Sequence, residues 1–384
     1  MNKEWIEFKD RIKSLYGKEV VPLHEPTFNE KEIEYVTDCI KTGWVSSVGS
    51  YVTQFEESLA KFVGVNYAIA VVNGTAALHI ALKIVGVEAN DEVLMPSLTF
   101  IATANAVSYL NAVPHFIDVN EETLGIDPLR LENYLEAITE FRNGEIFNKE
   151  TNRRIKAILP MHTFGHPCEL EEIMRICEKF NLTLVEDAAE SLGSYYKGKH
   201  TGSYGKVSAI SFNGNKIVTT GGGGAILTND LELASYAKHL TTTSKVPHKW
   251  EYIHDEIGYN YRMPNINAAL GCAQLDKMSN FIYQKRQLTN VYTNLVNNLS
   301  NVRLFTEPSN SKSNYWLQTL VLDEALNRDE ILTFLNHNGI ISRPIWKPMH
   351  MLEMYKECPR MELIITESLN MRIINIPSTP VEVK

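Results

Sequence analysis

From residue 67 onward the chain cycles between short β-branched and apolar runs and longer stretches in which apolar residues recur every three or four positions. Runs of the first kind suit buried strands and the second kind suits covering helices, so the alternation predicts a parallel α/β sheet. Residues 67–72 (YAIAVV) predict a strand, 75–85 (TAALHIALKIV) a helix, 92–95 a strand and 100–110 a helix. A strand over 113–119 precedes a polar, charge-rich stretch, 132–154, to which no element is assigned. Residues 155–159 resume the sheet. Over 170–180, Leu170, Ile173, Ile176, Cys177 and Phe180 fall at helical spacing. The next strand, 182–185, carries Glu186 and Asp187 at its carboxyl end. Ligands of open α/β sheets sit beyond the carboxyl ends of the strands, which places Asp187 where chemistry is expected.

After a short run at 225–228 the alternation stops. A helical segment from Glu232 leads into polar, aromatic loops, a helix is predicted over 266–278, and a smaller α/β unit lies beyond Tyr315. This reading divides the chain near Leu240 into an N-terminal segment with a large domain, 1–240, and a smaller C-terminal domain, 241–384. The length of 384 residues suits two such units. No internal repeat, low-complexity tract or Gly/Ser linker interrupts them.

Charge and cysteine content narrow the function classes. With 37 Lys+Arg against 46 Asp+Glu, the formal charge of −9 disfavours a protein that binds nucleic-acid backbones. Cys39, Cys168, Cys177, Cys272 and Cys358 are odd in number and form no C-x-x-C pair, so neither a disulfide framework nor a zinc knuckle is expected and a reducing cytoplasm is the default. The first twenty residues lack the apolar core of a signal peptide, and the most apolar stretch, 67–87, is broken by Asn73, His79 and Lys83, which excludes a membrane span there.

Several motifs fail when tested. Residues 193–199 (GSYYKGK) match a phosphate-binding P-loop until His200 stands where Ser or Thr must follow the lysine. Through Gly221–Gly224 no G-x-G-x-x-G placement fits, and Ala225 begins a strand where that motif needs a helix, so no NAD site is expected. His162 and His166 stand four apart, but Gly165 and Pro167 break any helix that would bring the rings together, and no metal site is predicted.

Three other segments combine into one constellation. Asn73-Gly74-Thr75 lies between a strand and a helix, where free amides and a hydroxyl make a phosphate site. Asp187 ends a strand, and in 211–216 (SFNGNK) a strand ends in Ser211 and Lys216 follows five residues later. A phosphate cradle, a strand-end Asp and a loop Lys are the set that pyridoxal phosphate requires: an amine for the Schiff base, an anion for the pyridine nitrogen and a grip on the phosphate. Phe100, after the strand end at 96–99, is placed to stack on the ring and exclude water. Taken singly, each residue has an ordinary alternative: Phe100 as core, Asp187 as a helix cap, Gly74-Thr75 as a plain turn, Lys216 as one lysine of many. Their joint order carries the reading.

On these residues the sequence resembles the sugar-nucleotide aminotransferases of the DegT/DnrJ/EryC1/StrS family, within the fold type I, aspartate aminotransferase-like pyridoxal phosphate enzymes. The likeness spans nearly the whole chain and is carried by NGTAALHIAL (73–82), DEVLMPSLTFIATANAV (91–107), VEDAAESLGS (185–194), SFNGNKIVTTGGGG (211–224) and GYNYRMPNINAALG (258–271). It implies an α/β fold with a large, mostly parallel sheet and a smaller C-terminal α/β domain. It also implies Lys216 as the Schiff-base lysine, Asp187 as partner of the pyridine nitrogen, Glu190 near the ring 3-hydroxyl and Phe100 as the stacking aromatic. Gly74, Thr75 and Ser211 match phosphate binders. Asn260 matches an asparagine that reaches the phosphate from the neighbouring subunit, which implies a homodimer with shared active sites. The amino donor implied is glutamate.

Within the family, GWVSSVGSYV (43–52), NKETNRRIKAILPMHTFGHP (148–167), SFNGNK and SRPIWKPMH (342–350) look most like the subgroup of legionaminic acid and bacillosamine-type pathways, which aminates the 4-keto carbon of a nucleotide-linked 4-keto-6-deoxy sugar. Arg262, His162, Trp346 and His350 are candidates for holding the nucleotide diphosphate. Two features depart from the family pattern. Gly222 stands where many relatives carry an acidic residue, and the sequence stops at 381–384, soon after IPSTP (376–380), where relatives usually continue into a last helix. Three readings compete with 4-amination of this sugar type: a perosamine-type or 3-amino-sugar aminotransferase, a dehydratase of the same fold, and a non-catalytic scaffold that kept the fold. Family dehydratases replace the Schiff-base lysine with histidine, so Lys216 favours transamination, and the intact site residues disfavour a scaffold.

Overall fold

The computed structural model describes residues 3–382; the terminal pairs Met1, Asn2 and Val383, Lys384 lie outside the described residues. The chain opens with three helices, α1 (Lys3–Tyr16), α2 (Glu30–Thr42) and α3 (Ser50–Val63). Helix α2 starts in a capping box, with Asn29 accepting from Lys31 N and Glu32 returning to Asn29 N, and α2 and α3 each end on a glycine, Gly43 and Gly64, in the left-handed conformation. The alternation then begins: β1 (Tyr67–Val71), α4 (Gly74–Ile84), β2 (Glu92–Pro96), α5 (Ile101–Ser108), β3 (Val113–Ile117) and α6 (Pro128–Ile138). Next come β4 (Thr139–Arg142), β5 (Glu145–Asn148), β6 (Arg154–Ile158), α7 (Leu170–Phe180) and β7 (Thr183–Asp187). In α7 the buried positions are the five picked out by spacing, and Asn181 closes the helix at φ 53°. Burying each such side chain contributes about 1.5–3 kcal/mol.

A tight hairpin, β8 (Tyr195–Tyr196) and β9 (Lys199–His200), occupies the P-loop look-alike, with Lys197 and Gly198 at positive φ in the turn. Strands β10 (Val207–Ser211) and β11 (Gly224–Thr228) complete the large sheet, whose order is β1-β11-β10-β7-β6-β2-β3. The run from β10 to β3 is parallel, as expected, but β11 runs antiparallel to both its neighbours, β1 and β10. The charge-rich stretch left unassigned forms the end of α6 and the β4–β5 hairpin, which joins the sheet through β6. Its turn is Asn143-Gly144, both at positive φ, the pair that a two-residue hairpin demands.

Helix α8 (Leu231–Thr241) leads to a small exposed hairpin, β12 (Lys245–Val246) and β13 (Ile253–His254), then to α9 (Asn265–Asp276) and α10 (Met278–Val296). A second sheet follows, built from β14 (Val302–Leu304), β16 (Gln318–Leu322), β17 (Arg343–Pro344) and β18 (Ile373–Ile376), with α11 (Arg328–His337) and α12 (Ile364–Arg372). The short strand β15 (Ser311–Lys312) leaves it to pair with β8 of the large unit. Helix α1, first in the chain, packs with the second sheet: Trp5, Phe8 and Ile12 share a cluster with Leu288, Tyr292, Leu320 and Ile374. None of the helices described is long and apolar enough to cross a membrane.

Asp118, just past β3, ties the two sheets together. It is fully buried, accepts from Ile365 N (3.0 Å) and Thr366 N (2.8 Å) at the start of α12, and pairs with Arg130. Removing a buried carboxylate leaves those amides unpaired, so Asp118→Ala should lower stability by about 3 kcal/mol, read as a lower urea midpoint.

Candidate active site

The carboxyl ends of β7 and β10 and the start of α4 converge on a cavity of about 290 Å³. Its lining includes Gly74, Thr75, Phe100, Asp187, Glu190, Ser211, Lys216 and Trp346, so seven of the eight predicted cofactor residues and one substrate candidate come together there. Asn73 caps α4 by accepting from Ala76 N (2.8 Å), and the first turn leaves the amides of Gly74 and Thr75 without a helical acceptor. Helix and sheet meet closely at this point. A Cβ on Gly74 would lie 2.8 Å from Ser211 Cβ, and one on Gly224 would lie 2.5 Å from the carbonyl of Asn73. A Cβ on Gly222, by contrast, would meet only Val72 O at 3.8 Å, so space does not dictate that glycine.

Asp187 is 2% exposed and held by Thr103, whose hydroxyl donates to Oδ2 (2.8 Å), and by Ala189 N (3.2 Å). Burial raises its pKa, with the Thr103 bond opposing. The Glu190 carboxylate accepts from Phe164 N (2.9 Å) and from Lys216 Nζ (3.2 Å). Burial pushes its pKa up to about 7 despite the Lys216 charge. Lys216 Nζ also sits 3.8 Å from the centre of the Trp316 ring, whose Nε1 donates to Asn215 O (2.8 Å). Phe100 is half exposed at the foot of α5, edge-on to Trp346 at 6.2 Å.

Four predicted residues stand outside this cavity. His162 is fully buried, its Nδ1 accepting from Cys168 N (3.2 Å) and its Nε2 facing Glu186 (3.1 Å), so both ring nitrogens serve the core. His350 is likewise buried, bonded to Ser97 Oγ (2.7 Å) and facing Glu367 (3.3 Å). Arg262 is committed to Glu56 through two bonds of 2.6 and 3.3 Å. All three are thus engaged by side-chain partners within this chain. Asn260 is exposed, bridged to Thr242, and does not reach the cavity of its own chain. His166 lies between the edges of Phe305 and Tyr315, apart from the bonds of His162.

Sequence reasoning missed Thr103, Trp316, Asn213 and Asn215. The Thr99/Thr103 pair at i, i+4 was a legible signal for the first, since Thr103 donates to Asp187 while its oxygen meets Thr99 Oγ1 at 2.7 Å. Trp316 carried none, because a lone aromatic 100 residues beyond Lys216 in sequence reads as core.

The donor set suits the cofactor. Free helix-start amides with the Thr75 and Ser211 hydroxyls match a phosphate, a buried carboxylate with no cation bonded to it matches a protonated ring nitrogen, and an amine stands between them.

Comparison with known proteins agrees. The DegT/DnrJ/EryC1/StrS aminotransferase family matches residues 26–381. GDP-perosamine synthase of Escherichia coli O157:H7 is 39% identical over 94% of this chain and 93% of its own. GDP-perosamine synthase of Caulobacter vibrioides is 37% identical over 92% and 91%. A DegT DnrJ EryC1 StrS aminotransferase from Brucella abortus superimposes with a TM-score of 0.82 at 28% identity, covering 91% of each chain. DesI, solved in the presence of its TDP-sugar product, superimposes at 0.83 with 27% identity, covering 95% of this chain and 90% of that one. The chain therefore belongs to the DegT/DnrJ/EryC1/StrS aminotransferase family and is a pyridoxal phosphate-dependent transaminase of fold type I.

The Glu190 shift has a measurable sign. A carboxyl raised from 4.5 to about 7 on folding stabilises the folded state fully below its unfolded value and loses that contribution as pH rises through about 7. Relative to Glu190→Gln, the cofactor-free protein should lose up to about 3 kcal/mol between pH 4.5 and 8, measured as the difference between their unfolding midpoints across that range.

Proposed function

We propose that this enzyme transfers an amino group from glutamate to the 4-keto carbon of a nucleotide-linked 4-keto-6-deoxy sugar, in cytoplasmic synthesis of a bacterial surface amino sugar of the legionaminic acid or bacillosamine type. The observation that carries this reading is the meeting of Lys216, Asp187 and Glu190 with the Gly74-Thr75-Ser211 cradle in one aromatic-walled cavity. The segments 43–52, 211–216 and 342–350 support the sugar class. A perosamine-type role on a GDP-linked sugar is the second reading, favoured by the two GDP-perosamine synthases at 39% and 37% identity.

The geometry supports the following residue roles. Gly74 and Thr75 amides and the Thr75 and Ser211 hydroxyls would grip the phosphate, with Phe100 against the ring. Pyridoxal phosphate, when bound, supplies an electron sink for the pair left as a carbon loses its proton. Asp187, kept in line by Thr103, is the anion that favours a protonated ring nitrogen. Lys216 Nζ would be the point of covalent attachment and, when free, the base that takes the proton from the donor carbon and delivers it, on the same face, to the carbon across the C–N bond. Glu190, near neutrality and 3.2 Å from Nζ, can share that proton. Trp316 and Trp346 keep water from the reacting carbon. In the second half of the cycle the keto-sugar takes the amine.

We further propose a homodimer with shared sites and a division of the chain near Leu240. Trp250, Tyr252 and Ile257 are 74%, 80% and 83% exposed on the loop that leads to Asn260, an apolar surface that a second copy would cover. Asn260, exposed and outside its own cavity, would then reach the partner's phosphate.

The holoenzyme should show a visible absorbance band that glutamate bleaches and a keto acid restores, and it should turn over one or more of a panel of UDP- and GDP-linked 4-keto-6-deoxy sugars. Lys216→Ala should lose the bleaching and about 10⁴-fold or more of turnover. Retained turnover in that variant would overturn the assignment. Shared sites make a second outcome measurable. Lys216→Ala and Asn260→Ala proteins, each crippled alone, should recover about a quarter of wild-type turnover when unfolded and refolded together, because half of the random dimers carry one intact site of two.

A further inference from the structure

The loop between β10 and Lys216 carries two further polar side chains. Asn213 and Asn215 line the cavity and are exposed at its mouth, whereas Asp187 and Glu190 lie buried at its floor. We propose that the two carboxamides form a single subsite that reads the sugar, engaging a neutral donor-and-acceptor substituent, a hydroxyl or an acetamido group, on a carbon next to the one that is aminated. This rests on the transaminase reading and deepens it.

The hydrogen-bond inventory defines what the subsite can recognise. Asn213 Nδ2 donates to Asn215 Oδ1 (3.3 Å), the only side-chain bond of either residue among those described. That bond leaves the Asn213 Oδ1 acceptor and the Asn215 Nδ2 donor without a protein partner among the described residues, a pair complementary to a group that both donates and accepts. Diphosphate oxygens only accept, so they would leave the acceptor half of this pair unmatched.

The presentation is rigid. Lys216 N donates to Asn213 O (2.9 Å) and Trp316 Nε1 to Asn215 O (2.8 Å), while Phe212 is held on both sides by Gly223 O (2.8 Å) and Thr220 N (3.0 Å). Little conformational freedom is left to lose on binding. Asn215 adjoins Lys216 in sequence, so a substituent held by the pair sits beside the carbon on which Nζ acts. Trp346, edge-on to Phe100, offers an apolar wall of the same cavity for the deoxy carbon.

The test uses holoenzyme and follows the two half-reactions separately by the cofactor band. Asn213→Ala and Asn215→Ala should each lower kcat/KM for the keto-sugar half by about ten- to a hundredfold, a loss at least tenfold larger than in the glutamate half. A 4-keto-6-deoxy sugar nucleotide lacking the neighbouring hydroxyl or acetamido group should be poor for the wild type and nearly indifferent to both substitutions. Asn215→Asp, which keeps shape but removes the donor, should behave like Asn215→Ala with the full sugar. Equal losses in both halves would show a loop effect on Lys216 and overturn the subsite, as would unchanged sugar kinetics in both variants while the wild type turns over normally. A wild type that never responds to glutamate would defeat the transaminase reading, and this one with it.

Discussion

The site depends on how closely the start of α4 can approach the ends of two strands. Gly224 is the register partner of Val71 on one side and of Ser211 on the other, and its absent side chain leaves room for the Asn73 carbonyl. Gly74 completes the contact by letting the helix sit on Ser211. Because strand register has a period of two, a slip of β11 by one residue would bring Ala225 or Gly223 into that place and turn the neighbouring side chains over. The sheet register and the phosphate cradle are thus one constraint, and the antiparallel β11, inserted between β1 and β10, delivers it.

Strand alternation also separates two adjacent carboxylates. On β7, Glu186 and Asp187 point to opposite faces. Glu186 accepts from Gly202 N (2.7 Å), Tyr204 N (2.7 Å), Gly205 N (2.6 Å) and faces His162, so its charge is fully compensated inside the core. Asp187 has two neutral donors and no bonded cation, and burial raises its pKa. A buried carboxylate left in that state favours any cationic group brought against it, which is the property a pyridine nitrogen exploits. One dipeptide therefore supplies a structural acid and a functional one, and hydrogen-bond satisfaction tells them apart.

Much of this was legible in the sequence for a physical reason. Asp187 falls at a strand end, Gly74-Thr75 at a helix start and Lys216 in the loop that follows a strand, and the strands and helix that fix these places are read from hydrophobic periodicity. What stayed hidden depends on long-range pairing. The direction of β11 has no local signature, since a buried run reads alike in either sense. The β4–β5 hairpin did have one, the Asn143-Gly144 pair, but its charged flanks resemble a loop. The partners of His162, His350 and Arg262 were hidden for a single reason: composition shows that a cation or imidazole exists, not whether Glu186, Ser97 or Glu56 has already engaged it.

The smaller sheet reaches the chemistry through one buried charge carrier. Lys285, on α10, is fully buried and donates to Trp316 O (3.0 Å), Ser378 O (2.6 Å) and Tyr315 O (3.4 Å). Burial lowers its pKa, yet three carbonyls around one nitrogen match the three donors of an ammonium and leave no donor for the lone pair of a neutral amine, so the geometry argues for the charged form. That contact fixes the backbone of Trp316, whose ring lies against Lys216 and whose indole N–H holds the loop at Asn215. The charge of −9 is therefore a poor guide to the site, because the cations that matter are the few whose positions are set by packing. Lys285 is held by structural contacts, whereas Lys216, with Glu190 its one carboxylate partner among the described residues, is the lysine left for the proposed chemistry.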